Sequence, residues 1–350
     1  MTNNQCEKYS LIPPFVLEYI SDNCDECTNQ YVLKTLGHVH HLMDTSIKED
    51  ITLREEEIKS DGKLNRVIYD AQNKEEFPGK TLSRSEGMPE HSDIVVNEAY
   101  EYFGKTYEFY KNIFGRNSLD NKGMKLIATV HYGKNYLNAF WSRKQMVFGD
   151  GDGKYFNRFS SSIDVIAHEL THGVIESEAN LFYAYESGAL NESISDVFGI
   201  MVKQYANNQK SDESDWLVGQ GLLGSSFNPD NKSDVALRSF INPGKAFTAD
   251  KQVGHMDQYE NMPFSKDNGG VHILSGIPNR AFYLAAIALG GYTWEKAGKI
   301  WYETLLDERL SSFADFEDFA KLTIENAEKL FSKETSTIIS NSWKEVGILV

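Results

Sequence analysis

Cysteine is scarce in this sequence. The 350-residue chain has three cysteines, Cys6, Cys24 and Cys27, all within its first 27 residues. The bulk of the fold therefore uses no disulfide bond. The odd count favours synthesis in a reducing compartment, although later export stays open. Cys24 and Cys27 form a CxxC pair, but no second pair or nearby histidine motif completes a zinc site, so we expect thiols without a chemical role.

Long apolar runs and an excess of positive charge are also missing. No apolar run is long enough for a bilayer, which predicts that there is no transmembrane helix. The first residues, MTNNQCEKYS, lack the basic and apolar regions of a Sec-type signal peptide. Lys and Arg number 35 against 51 Asp and Glu, a net charge of −16. This charge argues against nucleic acid or an anionic membrane as partners, and leaves other proteins possible.

The sequence predicts a short N-terminal unit followed by two lobes, because a 350-residue chain exceeds the usual size of one core. Residues 1–51 contain the step Pro13-Pro14-Phe15 and two helical patterns, and a charge-rich connector follows at 48–61. Strand patterns come early and helical patterns late, which predicts an α+β lobe followed by an all-α lobe. The expected domains are 1–51, 52–186 and 187–350.

The stretch VIAHELTHGV, residues 165–174, places three titratable groups in an otherwise apolar helical pattern. His168 and His172 are spaced i, i+4, which puts both imidazoles on one helix face, and Glu169 lies beside the first. This spacing suits two ligands of one tetrahedral Zn²⁺, with a carboxylate near its water position. A buried helix whose histidines bond to neighbours is the alternative, because H-E-x-x-H alone is a moderate signal.

A second pair of polar groups follows in NESISD, residues 191–196. Glu192 and Asp196 are again spaced i, i+4, in a helix that we expect to begin near Gly188. One carboxylate would complete a His₂Glu zinc set with an open fourth position, and the other would accept the N–H of a ligand histidine. Core packing does not explain two such helices, so the sequence predicts a catalytic zinc site.

The motifs HELTH and GALNESISD resemble those of the thermolysin-type zinc metallopeptidases. The resemblance runs from around Val130 to Val350 and includes NAFW at 138–141, ALRS at 236–239 and DNGGVH at 267–272. The short N-terminal unit with its Pro-Pro-Phe step is similar to the propeptide of the protealysin branch. The resemblance implies a two-lobed zincin fold with a small helical propeptide, and a neutral metalloendopeptidase made as an inactive precursor.

The resemblance also implies the roles of the metal and the base. It implies zinc ligands at His168, His172 and Glu192. Glu169 would be the general base that takes a proton from the zinc-bound water and passes it to the leaving amine.

Four further polar residues receive roles from the same resemblance. Tyr183 and His272 would donate hydrogen bonds to the tetrahedral oxyanion. Asp267 would orient the imidazole of His272, and Asp196 would orient that of His168.

The substrate contacts are implied in the same way. Asn138 and Ala139 lie in the edge strand that in this family pairs with an extended peptide. A pocket for the side chain after the cleaved bond implies cleavage on the amino side of bulky hydrophobic residues. Its lining would be Phe156, Phe159, Val165 and Leu237, with Arg238 at its base. The family commonly has a smaller residue at the position of Phe159, so we expect a shallower pocket. The apolar residues would also suit an ordinary core.

The sequence departs from the family at the carboxylates that hold a pair of calcium ions. Asp164 and Asp215 keep two of these positions, whereas Lys203, Leu217 and Gln220 cannot supply the coordination. We expect this double calcium site to be lost, with Lys203 pairing with Asp164 or Asp215 in place of calcium. A solvated Lys203 is the alternative. Leu274 also replaces a usual asparagine, two residues after His272, which affects local substrate contacts.

The N-terminal unit should inhibit the enzyme within the same chain until it is cleaved between Asp44 and Glu57. A cysteine thiolate on the zinc is an alternative latch. Two other protein classes stay open: a catalytically inactive zinc-binding interaction protein with the same fold, and a zinc-stabilised structural module, which would need four protein ligands. We expect peptide and protein substrates, and export by a route independent of a signal peptide, with a cytoplasmic location as the alternative.

Overall fold

The computed structural model describes residues 9–44 and 63–350. They form two compact units. The first contains the described residues up to Gly173 and 221–231, and the second contains Val174–Gln220 and Lys232–Val350. The expected domain boundaries at 51/52 and 186/187 stay predictions. Cys6 and the connector at 48–61 lie outside the described residues.

The first unit contains a mixed β-sheet. Along the chain its strands are β1 (Tyr9–Ser10), β2 (Arg66–Asp70), β3 (Thr81–Ser85), β4 (Leu126–Val130), β5 (Ala139–Trp141) and β6 (Met146–Phe148). The spatial order is β1-β5-β6-β4-β2-β3. The pairs β2–β4 and β4–β6 are parallel, and the remaining pairs are antiparallel. All five residues of β4 are buried, as expected of a central strand.

The helices of the first unit are α1 (Pro14–Asn23), α2 (Glu26–Asp44), α3 (Ile94–Phe114) and α4 (Ile163–Ser177), whose last turn belongs to the second unit. Helix α1 begins with Pro14 after Pro13, because a proline at the first helical position lacks only an N–H that would have no helical partner. At the start of α3, the Asp93 side chain accepts a hydrogen bond from Val95 N. Gly115 ends α3 in the left-handed conformation, at φ 70°.

The second unit is mostly helical. Its helices are α5 (Tyr185–Asn207), α6 (Asp267–Leu274), α7 (Gly276–Leu289), α8 (Ala297–Leu305), α9 (Phe316–Leu330) and α10 (Lys333–Lys344). A short antiparallel ribbon pairs β7 (Leu217–Val218) with β8 (Arg238–Ser239). The prediction of an α+β fold, β-rich first and helical second, is confirmed, and the ribbon is an addition to it.

Two strands of the sheet were not predicted. Strand β1 has only two residues and is defined by its partner β5, far away in the sequence. Strand β3, TLSRS, has no clean apolar alternation and pairs with β2 through a register shift between Ile68 and Tyr69. Among the helices of the described chain, none combines the length and apolarity needed to cross a bilayer.

Candidate active site

Helix α4 brings together the three titratable groups of HELTH. The side chains of His168, Glu169 and His172 are fully buried. The two Nε2 atoms lie 3.1 Å apart, and the possible ligand atoms of the three residues lie within 4.8 Å of one another. Two nitrogen ligands on one tetrahedral zinc, at about 2.0–2.1 Å each, are about 3.3 Å apart. The histidine pair therefore fits a zinc ion.

Close packing fixes this helix against the sheet. A Cβ added at Gly173 would lie 2.9 Å from Leu119 Cδ1 and 3.1 Å from Trp141 Cζ2, so no larger residue fits without a shift. On the same helix, Thr171 Oγ1 donates to Ala167 O and shares a 2.8 Å hydrogen bond with Tyr110 Oη. The small residue after His172 thus lets α4 approach the strand that contains Trp141.

The N-terminal segment lies directly against the histidine pair. The rings of Tyr9 and His172 are stacked, with centroids 4.2 Å apart and an angle of 6° between their planes. Tyr9 is 1% exposed. No sequence pattern predicts this contact, because Tyr9 belongs to no recognisable motif.

The same segment occupies the edge strand that was predicted to bind substrate. Strand β1 pairs antiparallel with β5, and Leu11 N donates to Ala139 O at 3.1 Å. Asn138 Oδ1 accepts a hydrogen bond from Ile12 N at 2.9 Å, and Asn138 Nδ2 donates to Ser10 Oγ at 2.7 Å and to Ile12 O at 3.1 Å. Asn138 and Ala139 therefore both hold the chain's own N-terminal segment.

The predicted pocket residues of the first unit are all buried. Phe156, Phe159 and Val165 are each 0% exposed. The rings of Phe156 and Phe159 lie 5.5 Å apart. Leu237 and Arg238, the other two predicted residues, are buried parts of the second unit.

In the second unit, Tyr183, Glu192 and His272 come together. The Tyr183 hydroxyl donates a hydrogen bond to Glu192 Oε1 and lies 3.4 Å from His272 Nε2. His272 Nε2 is 3.6 Å from Glu192 Oε1. Burial lowers the pKa of His272, but the carboxylates of Glu192 and Asp267 outweigh it and raise this pKa to about 9.

Asp267 holds His272 at two points. Its Oδ1 is 2.6 Å from His272 Nδ1, and its Oδ2 accepts the backbone N–H of His272 at 2.9 Å. Both residues belong to helix α6. Between them, Asn268, Gly269 and Gly270 have φ values of 49°, 83° and 88°. A left-handed backbone of this kind favours glycine, which explains the Gly-Gly step.

A buried ion pair joins Asp196 to Arg238. Arg238 Nη2 donates to Asp196 Oδ1 at 2.7 Å, and Arg238 Nε donates to Asp196 Oδ2 at 2.8 Å. Asn279 Nδ2 also donates to Oδ2, at 2.9 Å. Sequence reasoning gave these two charged residues separate roles, because they are far apart in the chain and no local spacing reports their pairing. The position of Asn279 carried no signal either.

The lysine that departs from the family pattern is paired. Lys203 Nζ lies 2.9 Å from Asp215 Oδ1, 3.0 Å from Oδ2 and 3.0 Å from Leu217 O. The alternative of a freely solvated lysine is therefore wrong. Gln220 Nε2 donates to Ser233 O, and Leu274 is buried.

The cysteines of the described chain do not join the histidine cluster. Cys24 is half-buried, Cys27 is exposed, and neither forms a disulfide bond. Within the described ranges, the group that could hold a metal consists of His168, Glu169 and His172.

Models of known protein families match most of the chain. The model of the thermolysin metallopeptidase catalytic domain matches residues 34–176, and that of the thermolysin metallopeptidase alpha-helical domain matches 179–348. The protealysin propeptide model matches residues 9–49.

Individual relatives agree. Protease PrtS of Photorhabdus sp. (strain Az29) is 54% identical over 348 residues, 97% of this chain and 92% of its own. An extracellular metalloprotease of Pectobacterium carotovorum subsp. carotovorum is 51% identical over 97% of this chain and 96% of its own. The solved structure of the precursor of protealysin, a metalloproteinase from Serratia proteamaculans, has a TM-score of 0.87 and 46% identity, and the match covers 97% of this chain and 99% of that one. The chain belongs to the thermolysin metallopeptidase family, as a metalloprotease precursor of its protealysin-like members.

Proposed function

We propose that this metallopeptidase precursor hydrolyses peptide bonds on the amino side of bulky hydrophobic residues, once its N-terminal unit is removed. The observation that carries the proposal is the buried trio on α4, with the Nε2 atoms of His168 and His172 3.1 Å apart beside Glu169. Zinc would be held by these two histidines and by Glu192. When bound, it supplies a Lewis acid that polarises the peptide carbonyl and acidifies water.

Glu169 serves as the general base in this proposal. It follows His168 directly, so its carboxylate lies among the ligand atoms of the trio. The Glu169 side chain is fully buried beside the two imidazoles, which holds a carboxylate close to the proposed metal position. It takes a proton from the attacking water and delivers it to the leaving nitrogen.

Tyr183 and His272 serve as donors to the oxyanion. The Asp267 carboxylate faces His272 Nδ1 at 2.6 Å, which keeps the proton there and presents Nε2 to the site. The carboxylate of Asp267 also raises the pKa of His272, which favours the imidazolium form, and in that form Nε2 carries a proton that it can donate. The Tyr183 hydroxyl, near the same nitrogen, is the second donor. Asp196 would orient His168.

The substrate would pair with β5 as β1 does. The side chain of Asn138 and the carbonyl of Ala139 support this, because they bond main-chain atoms of Ile12 and Leu11, and any extended peptide offers such atoms. The side chain after the cleaved bond would enter the pocket of Phe156, Phe159, Val165 and Leu237, with Arg238 at its base. A peptide that binds there displaces the N-terminal segment.

Residues 1–51 act as the chain's own inhibitor in this account, followed by lobes at 52–186 and 187–350. Support comes from Tyr9, stacked on a proposed ligand, and from β1, which covers the substrate strand. The Pro13-Pro14-Phe15 step ends this covering segment and starts α1. We propose secretion, which the name of the Pectobacterium relative supports.

Loss of the double calcium site is a further part of the proposal. The Lys203 ammonium lies between Asp215 and Leu217 O, where it supplies positive charge to groups that would otherwise bind a cation.

The test of the proposed function compares Glu169→Gln with the unchanged chain, after the N-terminal unit of both has been removed by added trypsin and the products have been matched by intact mass. We expect a loss of about 10²–10⁴ in kcat for a peptide with a bulky hydrophobic residue after the scissile bond. Bound zinc, measured by elemental analysis, should stay unchanged. Glu108→Gln, the same change on an exposed residue of α3, is the control. Full activity of Glu169→Gln would contradict the proposal.

A further inference from the structure

Helix α1 and the residues directly after it contact the rest of the first unit at a second place, away from the β1–β5 pair. The ring of Tyr19 stacks on Phe227 with centroids 6.0 Å apart. Tyr155 Oη donates to Asn23 O at 3.3 Å, and Lys154 Nζ lies 2.8 Å from Asp25 Oδ2. We call Lys154, Tyr155 and Phe227 the footprint surface.

The footprint surface is continuous with the proposed pocket. The ring of Phe227 lies 5.5 Å from that of Tyr155 and 5.9 Å from that of Phe156. Phe156 lies in turn 5.5 Å from Phe159. A chain of buried ring contacts therefore links the proposed pocket residues to the surface that α1 covers.

The footprint surface is fixed by its own loop. Asp152 Oδ1 accepts the backbone N–H groups of Lys154, Tyr155 and Phe156 at 2.8–3.1 Å. A Cβ on Gly224 would lie 2.5 Å from Lys154 O, so the segment that carries Phe227 packs closely against this loop. A preformed surface costs little ordering entropy when it binds a ligand.

The N-terminal segment runs along β5 in the direction that leads to the footprint surface. Strand β1 pairs Tyr9 with Trp141 and Ser10 with Phe140, and the chain then passes Asn138 before it enters α1. A substrate that pairs with β5 in this direction would send the part of its chain beyond the cleaved bond towards the footprint surface.

We propose that, after the N-terminal unit is released, the footprint surface binds a downstream segment of the polypeptide substrate that carries an aromatic and an acidic residue. Tyr155 and Phe227 are 5% and 7% exposed under α1, and removal of α1 would expose them. The Lys154 ammonium complements an acidic side chain, as it does Asp25. The inference rests on the proposed function, since it requires cleavage and release of α1.

The test uses two peptides with the same cleavable bond and a glycine–serine extension after it. One extension contains a tyrosine and, six positions later, an aspartate, which is the spacing of Tyr19 and Asp25. The control extension has serine and lysine at these positions. The enzyme is the full chain, cleaved between Asp44 and Glu57 by itself or by added trypsin, with the product confirmed by intact mass.

We expect kcat/KM to be about fivefold higher for the tyrosine–aspartate extension, and this ratio to fall to about one in Lys154→Glu and in Phe227→Ala. Lys122→Glu, the same charge change on an exposed lysine elsewhere in the first unit, should keep the ratio. Equal rates on both extensions, or an unchanged ratio in Lys154→Glu and Phe227→Ala, would overturn the inference.

A binding measurement separates this inference from the proposed function. If the processed chain cleaves neither peptide, the proposed function fails, and fluorescence anisotropy of the dye-labelled tyrosine–aspartate extension then decides. Weaker binding to Lys154→Glu than to Lys122→Glu would support the footprint surface as a binding site. Equal binding to both, or none to the unchanged sequence, would refute it.

Discussion

At the scale of single residues, the site depends on side chains whose partners fix their orientation. His168 and His172 could be paired from the sequence because helical geometry alone sets the distance between positions i and i+4. Asp196 and Arg238 could not be paired from the sequence, because their ion pair depends on how distant segments fold together. Local spacing predicts contacts within a helix, whereas the contacts between elements required the structure.

Tyr183 provides a test at this scale. Tyr183→Phe removes the hydroxyl that faces His272 Nε2 and leaves the ring in place. We expect kcat to fall by about 10² with little change in KM, because the lost hydrogen bond would form in the transition state. Steady-state kinetics on a short peptide measures both constants. A change confined to KM would assign Tyr183 to substrate binding instead.

His131 gives a prediction about pH. Its Nε2 lies 2.9 Å from Asp93 Oδ2 and its Nδ1 lies 2.9 Å from Asp150 Oδ2. The hydrogen bond to Asp150 is the largest influence on the pKa of His131, which rises to about 9 even though burial lowers it. A raised pKa stabilises the fold fully below the unfolded value of about 6.5, and this stabilisation is lost as the pH rises through 9.

His131→Asn tests this pH dependence. Asparagine tolerates the left-handed backbone at this position, where φ is 54°, but it carries no charge. We expect the unchanged chain to have the higher free energy of unfolding at pH 6. Its advantage over the variant should be smaller at pH 10, by about 1–3 kcal/mol. Urea titrations at the two pH values measure the difference. If the difference in free energy of unfolding between the two proteins does not change with pH, the charge of His131 does not contribute to stability.

At the scale of elements, the N-terminal segment adds strand β1 to the sheet beside β5, and we propose that it inhibits in this way. Strand β1 was missed because two residues give no periodic pattern, and its pairing with β5 is visible only in three dimensions. Helices α1 and α2 were predicted, since apolar periodicity and the Pro-Pro step are local signals.

Tyr9→Ala should weaken this inhibition. The substitution removes the ring that stacks on His172 and leaves the main-chain bonds of Leu11 and Ile12 in place. We expect the unprocessed chain to cleave a short peptide about tenfold faster than the parent chain, because a stacked aromatic ring contributes about 0.5–1.5 kcal/mol beyond its buried area. Initial rates on freshly purified protein, checked by intact mass, measure this. Glu18→Ala, on the exposed side of α1, should match the parent, and a Tyr9→Ala chain no faster than it would contradict the account.

The link between α5 and β7 provides a second test at this scale. Lys203→Met removes the ammonium that bonds Asp215 and Leu217 O, and should lower the free energy of unfolding by about 1 kcal/mol. If Lys203 takes the place of calcium, the Tm of the unchanged chain should be the same with added calcium as with a calcium chelator. Thermal unfolding in both buffers tests this, and a rise in Tm with calcium would show that the site still binds the ion.

At the scale of the whole molecule, the chain is a protease precursor with a propeptide ahead of its two lobes. The sequence predicted that an α+β lobe precedes an all-α lobe, because strand patterns come early in the chain and helical patterns come late. The family models match both lobes and the propeptide. The sequence could not show how residues 9–12 cover the proposed substrate strand, β5, and the proposed zinc ligand His172.

The most direct test of the central claim is the intact mass of the purified full-length chain over time, beside its Glu169→Ala variant. The account predicts that the unchanged chain loses an N-terminal segment through cleavage between Asp44 and Glu57, while the variant stays whole. Addition of a trace of processed enzyme should then cleave the variant as well. If the variant processes itself as fast as the unchanged chain, Glu169 is not the base of the reaction that removes the propeptide, and the account is wrong.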